Sequence, residues 1–186
     1  LNFLATAARA MIVATGGSAM DAPPLVRDAR ERDLPRIVAI YNEAIPGRRA
    51  TADTEPVSVV SRQAWFDEHT PERRPLWVAE REAVILGWLS LQSFYGRPAY
   101  AATAEVSVYV SDGARRGGVG RLLLRRAVER GPGLGLATLV AFVFGHNEPS
   151  LRLFEGEGFA RWGHLPRVAR LDGIERDLLI LGRRLA

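Results

Sequence analysis

Cysteine and lysine are both absent from the 186 residues, so all 25 strong bases are arginine. Without a thiol the chain forms no disulfide, holds no iron–sulfur cluster and offers no thiolate nucleophile. Without an ε-amine it forms no Schiff base and builds no lysine-dependent nucleotide P-loop. Histidine is sparse too: His69, His146 and His164 are far apart and lack an His-x-x-x-His spacing, which argues against a catalytic zinc site and leaves no metal expected. No apolar run approaches the roughly 18 residues of a membrane-spanning helix. No Lys/Arg run of five or more exists either, which speaks against a nucleic-acid stripe. The net charge is only +4, with 21 acids interleaved among the arginines. A small excess of arginine is enough to put the isoelectric point near 10.3. The partner this composition implies is a small anion, not a membrane or a nucleic acid.

What is present is ordinary globular material, 47% apolar and 25% charged. A chain of this length buries roughly 70% of its unfolded surface as one domain. Residues 1–22 carry only Arg9 and Asp21 as charges and end their apolar run at Gly16-Gly17. They read as a disordered tail or an upstream extension of the coding frame, Met11 and Met20 each being a possible start. Residues 23–186 read as the single domain, and the compartment expected is cytoplasmic.

Hydrophobic spacing predicts a strand at Leu25 to Asp28, then a helix N-capped by Asp33 with Pro35 in its first turn and Leu34, Ile37, Val38 and Tyr41 on one face. Arg48 to Pro56 reads as loop and Val57 to His69 as a second helix. Strands follow at Leu76 to Glu80, Val84 to Gln92 and Thr103 to Val110, the last setting Ala104, Val106, Val108 and Val110 against Glu105, Ser107 and Tyr109. A glycine-rich turn, Gly113 to Gly120, leads into a helix with Val119, Leu122, Leu123 and Ala127 as its stripe. Leu136 to Phe144 is apolar enough for a strand buried on both faces. A short helix from Asn147 or Glu148 to Gly158 and two closing strands, Phe159 to Val168 and Ile174 to Arg183, complete the order β-α-α-β-β-β-α-β-α-β-β. The fold class expected is α/β, an α+β arrangement on a mixed sheet.

The sharpest local signal is the turn Arg115-Arg116-Gly117-Gly118-Val119-Gly120 between a strand and a helix. Successive glycines let backbone N–H groups point into one concavity, and the helix adds its unpaired N-terminal donors. A dinucleotide fingerprint needs glycine where Leu123 stands. Arg115-x-x-Gly118-x-Gly120 instead resembles the pyrophosphate loop of the GNAT superfamily of N-acetyltransferases. Within it the chain is similar to phosphinothricin and methionine sulfoximine N-acetyltransferases. The likeness rests on Ile40-Tyr41-Asn42-Glu43-Ala44-Ile45, Thr54-Glu55-Pro56, Arg97-Pro98-Ala99-Tyr100, Thr103 to Val110, Asn147-Glu148-Pro149-Ser150 and Gly158-Phe159.

The resemblance implies a twisted mixed sheet of about seven strands with a splayed parallel pair, flanked by about four helices. It implies acetyl-CoA as cosubstrate, a small-molecule amine as acceptor, direct attack in a ternary complex and a homodimer. Arg115, Arg116, Gly117, Gly118, Val119, Gly120 and Arg121 would hold the pyrophosphate, and Asn147 and Ser150 would contact the pantetheine amide or the phosphates. Amides near Val108, Tyr109 and Val110 would polarise the thioester carbonyl. Glu105 is the candidate general base, Arg97 and Tyr100 would orient an anionic acceptor group, and Tyr41 and Phe94 would line the acceptor pocket. Phe154 stands where relatives often have a tyrosine or histidine that reprotonates the thiolate. Water, Tyr109 or His146 would then serve. Acetylation of protein N-termini or polyamines, and a non-catalytic acyl-CoA-binding module, are the alternatives.

Overall fold

The computed structural model describes residues 22–185, so the expected N-terminal extension lies, apart from Ala22, outside the described residues. Seven strands form one mixed sheet in the order β1-β2-β3-β4-β5-β7-β6: β1 Leu25–Asp28, β2 Leu76–Arg81, β3 Val84–Ser93, β4 Thr103–Val110, β5 Thr138–Phe144, β6 Ala160–Leu171 and β7 Ile174–Arg184. All neighbours are antiparallel except β4 and β5. Four helices cover it: α1 Leu34–Ala44, α2 Val59–Asp67, α3 Val119–Arg130 and α4 Glu148–Gly156.

The sheet buries both faces, which explains two separate apolar clusters. On one side α1 brings Ile37 and Ile40 against Leu76, Val78, Ile85 and Trp88. On the other, Leu123, Leu124 and Ala127 of α3, with Leu151 and Phe154 of α4, meet Leu89, Leu91, Ala104 and Val106. The alternation read along β4 is therefore real: its alanine and valines face α3, and Glu105, Ser107 and Tyr109 face the α1 side. The stripe of α3 includes Leu124, which the spacing missed, while Leu122 is only half-buried. Leu123 and Leu124 are fully buried, each stabilising by about 1.5–3 kcal/mol.

One boundary and one cap differ from expectation. α2 starts at Val59 because the Ser58 hydroxyl accepts the Ser61 amide and caps it there. Asp33 holds the N-cap position of α1 but does not cap that helix with its side chain. Its carboxylate instead accepts the Arg30 amide at 2.8 Å and the Arg27 guanidinium at 2.6 Å, and Arg27 also reaches Glu80. β1, β2 and the start of α1 are tied together at that point.

Candidate active site

The parallel ladder between β4 and β5 has three rungs, Thr103–Thr138, Ala104–Leu139 and Glu105–Val140. Past Glu105 the strands part. On its other edge β4 stays paired with β3 as far as Val110–Gly87. The Ser111 amide bonds the Leu86 carbonyl at 2.9 Å, which sets the phase of that antiparallel ladder. By its alternation the N–H groups of Val108 and Val110, past the last β4–β5 rung, turn away from β3 and into the gap. A cleft of about 400 Å³ occupies the fork, lined by Glu105, Val108 and Tyr109 of β4, Phe142 and Phe144 of β5, and Ser150 and Phe154 of α4.

At the wide end of the fork stands the N-terminus of α3. Gly118 caps it with φ of 79°, a left-handed conformation that glycine adopts without strain. The amides of Gly118, Val119, Gly120 and Arg121 find no carbonyl among the described residues, and the first one bonded is Leu122, to Gly118. Gly117 is turned back on Ala114 at 3.3 Å, so its amide is spent. Gly87 brings the helix this close: a Cβ there would lie 2.7 Å from the Tyr109 carbonyl and 3.1 Å from Val119. Of the expected arginines, Arg115 pairs with Asp112 and Arg121 with Glu157, while Arg116 has no ion pair among the described residues. Four free amides at a positive helix end, opening on a cleft between parted strands, suit a diphosphate with a narrow chain attached.

Glu105 is half-buried at the point of the fork, and its carboxylate has no hydrogen bond within the described chain. Desolvation pushes its carboxyl upward from the ordinary value. The roof of the cleft is the connection between α1 and α2, and three successive carbonyls of it are held by side chains from elsewhere. His146 Nε2 donates to Arg48 at 2.7 Å, Asn147 Nδ2 to Arg49 at 3.0 Å, and the Tyr109 hydroxyl to Ala50 at 3.1 Å. Asn147 also accepts the Ser150 amide through Oδ1 at 3.3 Å. Its side chain is thus engaged both in capping and in the roof, with its second Nδ2 proton unpaired among the described residues.

Arg49, Ala50, Thr51 and Ala52, which line the cleft from above, were not singled out from the sequence. Polar residues at strand ends, Tyr109, His146 and Asn147, were the only signal of that roof. Tyr41 sits beyond it, its hydroxyl donating to Asp53 at 2.6 Å and meeting Thr51, with the Arg62 guanidinium 4.8 Å above its ring. Arg97, Phe94 and Tyr100 do not line the cleft. They lie on the β3–β4 connection, where Phe94, Tyr95 and Tyr100 pack ring against ring and Arg97 is exposed with no ion pair among the described residues. That connection leaves the sheet one rung beyond the Gln92–Glu105 pair. Among the described residues no group of three or more His, Asp or Glu is placed to hold a metal, and no helix is long and apolar enough to cross a membrane.

A family model described as "Acetyltransferase (GNAT) family" matches residues 34–159. A Bacillus subtilis (strain 168) protein that carries a provisional name as a phosphinothricin acetyltransferase, YwnH, is 53% identical over 162 residues, 87% of this chain and 99% of that protein. An L-methionine sulfoximine/L-methionine sulfone acetyltransferase of Pseudomonas aeruginosa is 36% identical over 84% of this chain and 91% of its own length. The crystal structure of a GNAT superfamily phosphinothricin acetyltransferase from Sinorhizobium meliloti in complex with AcCoA superposes with a TM-score of 0.83 at 29% identity, covering 89% of this chain and 90% of that one.

Proposed function

The chain belongs to the GNAT family of acetyltransferases, with acetyl-CoA as its cosubstrate, and from that premise we propose that it acetylates the α-amine of a small amino-acid-like acid of the methionine sulfoximine or phosphinothricin type. Acetyl-CoA supplies the acyl group already activated as a thioester. The observation that carries the reading is the unbonded, half-buried Glu105 at the fork, beside the amides of Val108 and Val110.

An α-amine with pKa of about 8 or above is largely an ammonium at neutral pH and is not a nucleophile in that form. Glu105 removes its proton, and the upward push on its carboxyl brings the two affinities nearer. The freed amine attacks the carbonyl carbon, the C–S bond breaks and the thiolate leaves. The Val108 amide donates to the carbonyl oxygen as negative charge gathers on it. Gly118, Val119, Gly120 and Arg121 hold the diphosphate with Arg116 beside them. Arg97, free of any carboxylate within the described chain, orients the acceptor's acid group from the β3–β4 connection, with Tyr100 alongside.

Phe154 lines the cleft and carries no proton. The His146 Nε2 proton is engaged by Arg48, and burial pushes the Tyr109 hydroxyl up, so water returns the proton to the thiolate. The reading includes a cytoplasmic homodimer. The dimer part is supported by the outer strand β6, exposed along most of its twelve residues, Trp162 and Leu165 among them. Release of free CoA thiol from acetyl-CoA with methionine sulfoximine tests the acceptor. No release with it, together with release when a peptide amine is supplied, would remove the amino-acid reading.

A further inference from the structure

A second cavity, of about 130 Å³, lies on the same face of β4 as Glu105, roofed by α1 and α2. For comparison, an apolar cavity of about 150 Å³ holds a benzene-sized molecule. Its floor is Trp88, Ser90 and Gln92 of β3 with Ser107 and Tyr109 of β4, paired Trp88–Tyr109 and Ser90–Ser107, and Gln92 at its end stands opposite Glu105, which lines the cleft. Residues directly opposite in a sheet project to one side, so the polar rungs run straight to the general base. Ser107 and Tyr109 belong to the lining of both this cavity and the cleft. The two spaces meet along one strand.

The floor is chemically unusual. The Ser90 hydroxyl is buried, its residue 1% exposed, and it finds no hydrogen-bond partner. A hydroxyl shut away from water without a partner lowers stability, and a buried group left so asks for a reason. Gln92 and Ser107 also make no side-chain hydrogen bond within the described chain. The sole charged residue in the lining, Arg62, is already engaged by Asp53 at 2.9 Å.

We propose that this slot receives the side chain of the acceptor and reads an uncharged hydrogen-bonding group at its end, with Ser90 as the principal contact and Gln92 and Ser107 as helpers. This rests on the amino-acid acetylation proposed above. An acceptor whose amine faces Glu105 sends its side chain along the rungs, past Ser107 to Ser90. A sulfone or sulfoximine oxygen there satisfies the hydroxyl. A phosphinate enters with a charge for which the slot has no unpaired cation.

The test compares kcat/KM for methionine sulfone, norleucine and phosphinothricin in the wild-type enzyme and in Ser90→Ala, with the thermal midpoint of each protein. The expected result is a wild-type preference for methionine sulfone over both others. In Ser90→Ala the sulfone/norleucine ratio falls at least roughly tenfold, with a midpoint equal to or above wild type because no hydrogen bond is lost. Gln92→Leu moves the ratio in the same direction. A structural role for Ser90 would instead lower the midpoint and leave the ratio alone, which overturns the proposal, as does a wild-type preference for phosphinothricin. If the wild type acetylates none of the three, the acceptor reading itself fails. If it acetylates them and Ser90→Ala leaves the ratio unmoved, the slot alone fails.

Discussion

Glu105 faces Val140 across the final rung of the β4–β5 ladder, so the candidate base stands where the sheet's hydrogen bonding stops. One residue earlier it would sit among paired strands. Two residues later it would lie beyond the narrow point of the fork, further from the acceptor side.

Replacing Glu105 by glutamine keeps the shape and removes the proton acceptor. Turnover should fall at least roughly tenfold while acetyl-CoA affinity stays near wild type. Single-turnover rates and an isothermal titration with CoA check the two halves separately.

The direction of the Glu105 shift gives a pH profile. Burial favours its protonated form, and a protonated base accepts nothing, so kcat/KM should fall as pH drops, with an acid limb above the ordinary glutamate value of about 4.3. In Glu105→Gln that limb should vanish. A limb at the ordinary value in both proteins would remove Glu105 from the ionisation.

Gly118→Ala isolates backbone strain at the helix cap, since a Cβ there meets nothing within 4 Å. The cost should be about 1 kcal/mol of stability. As the amides shift, KM for acetyl-CoA should rise several-fold while KM for the acceptor changes less.

Tyr109→Phe deletes one of the three bonds that hold the roof and keeps the ring stacked on Trp88, now 4.6 Å between centroids. The loss expected is about 1 kcal/mol in urea unfolding. Hydrogen exchange of the amides of residues 49–52 should quicken locally.

Asp33 governs acid stability at the far edge of the sheet. Desolvation works to raise its pKa, but the hydrogen bonds from Arg27 and the Arg30 amide outweigh it and hold the carboxyl below its ordinary value. A depressed carboxyl stabilises fully above the unfolded value of about 3.9, and that contribution is lost as pH falls through the folded one. Asp33→Asn should lower the urea midpoint at neutral pH and flatten its decline below about pH 4.

Periodicity made most of the fold legible, because burial of a face is written in local spacing: Val106 against Ser107, Leu123 with Ala127. The glycine-rich turn before α3 was legible for the same reason, its glycines lying within four positions of one another. What escaped are relationships between distant residues. Asn147 holds Arg49 across 98 positions, and Ser90 is orphaned only because nothing packed near it donates or accepts. Gly87 looked like any strand glycine, although it sets how near α3 comes to the sheet. Leu122 and Leu124 compete for one helical stripe, and only the packed sheet decides between them.

Midway along β6, Pro166 has no N–H to offer, and the register with β7 slips between Leu165 and Ala169. An incoming strand therefore cannot zip along that border without interruption, and Arg161, Arg167 and Arg170 set like charges along it. The border discourages endless edge-to-edge stacking, which should keep concentrated solutions free of fibrils.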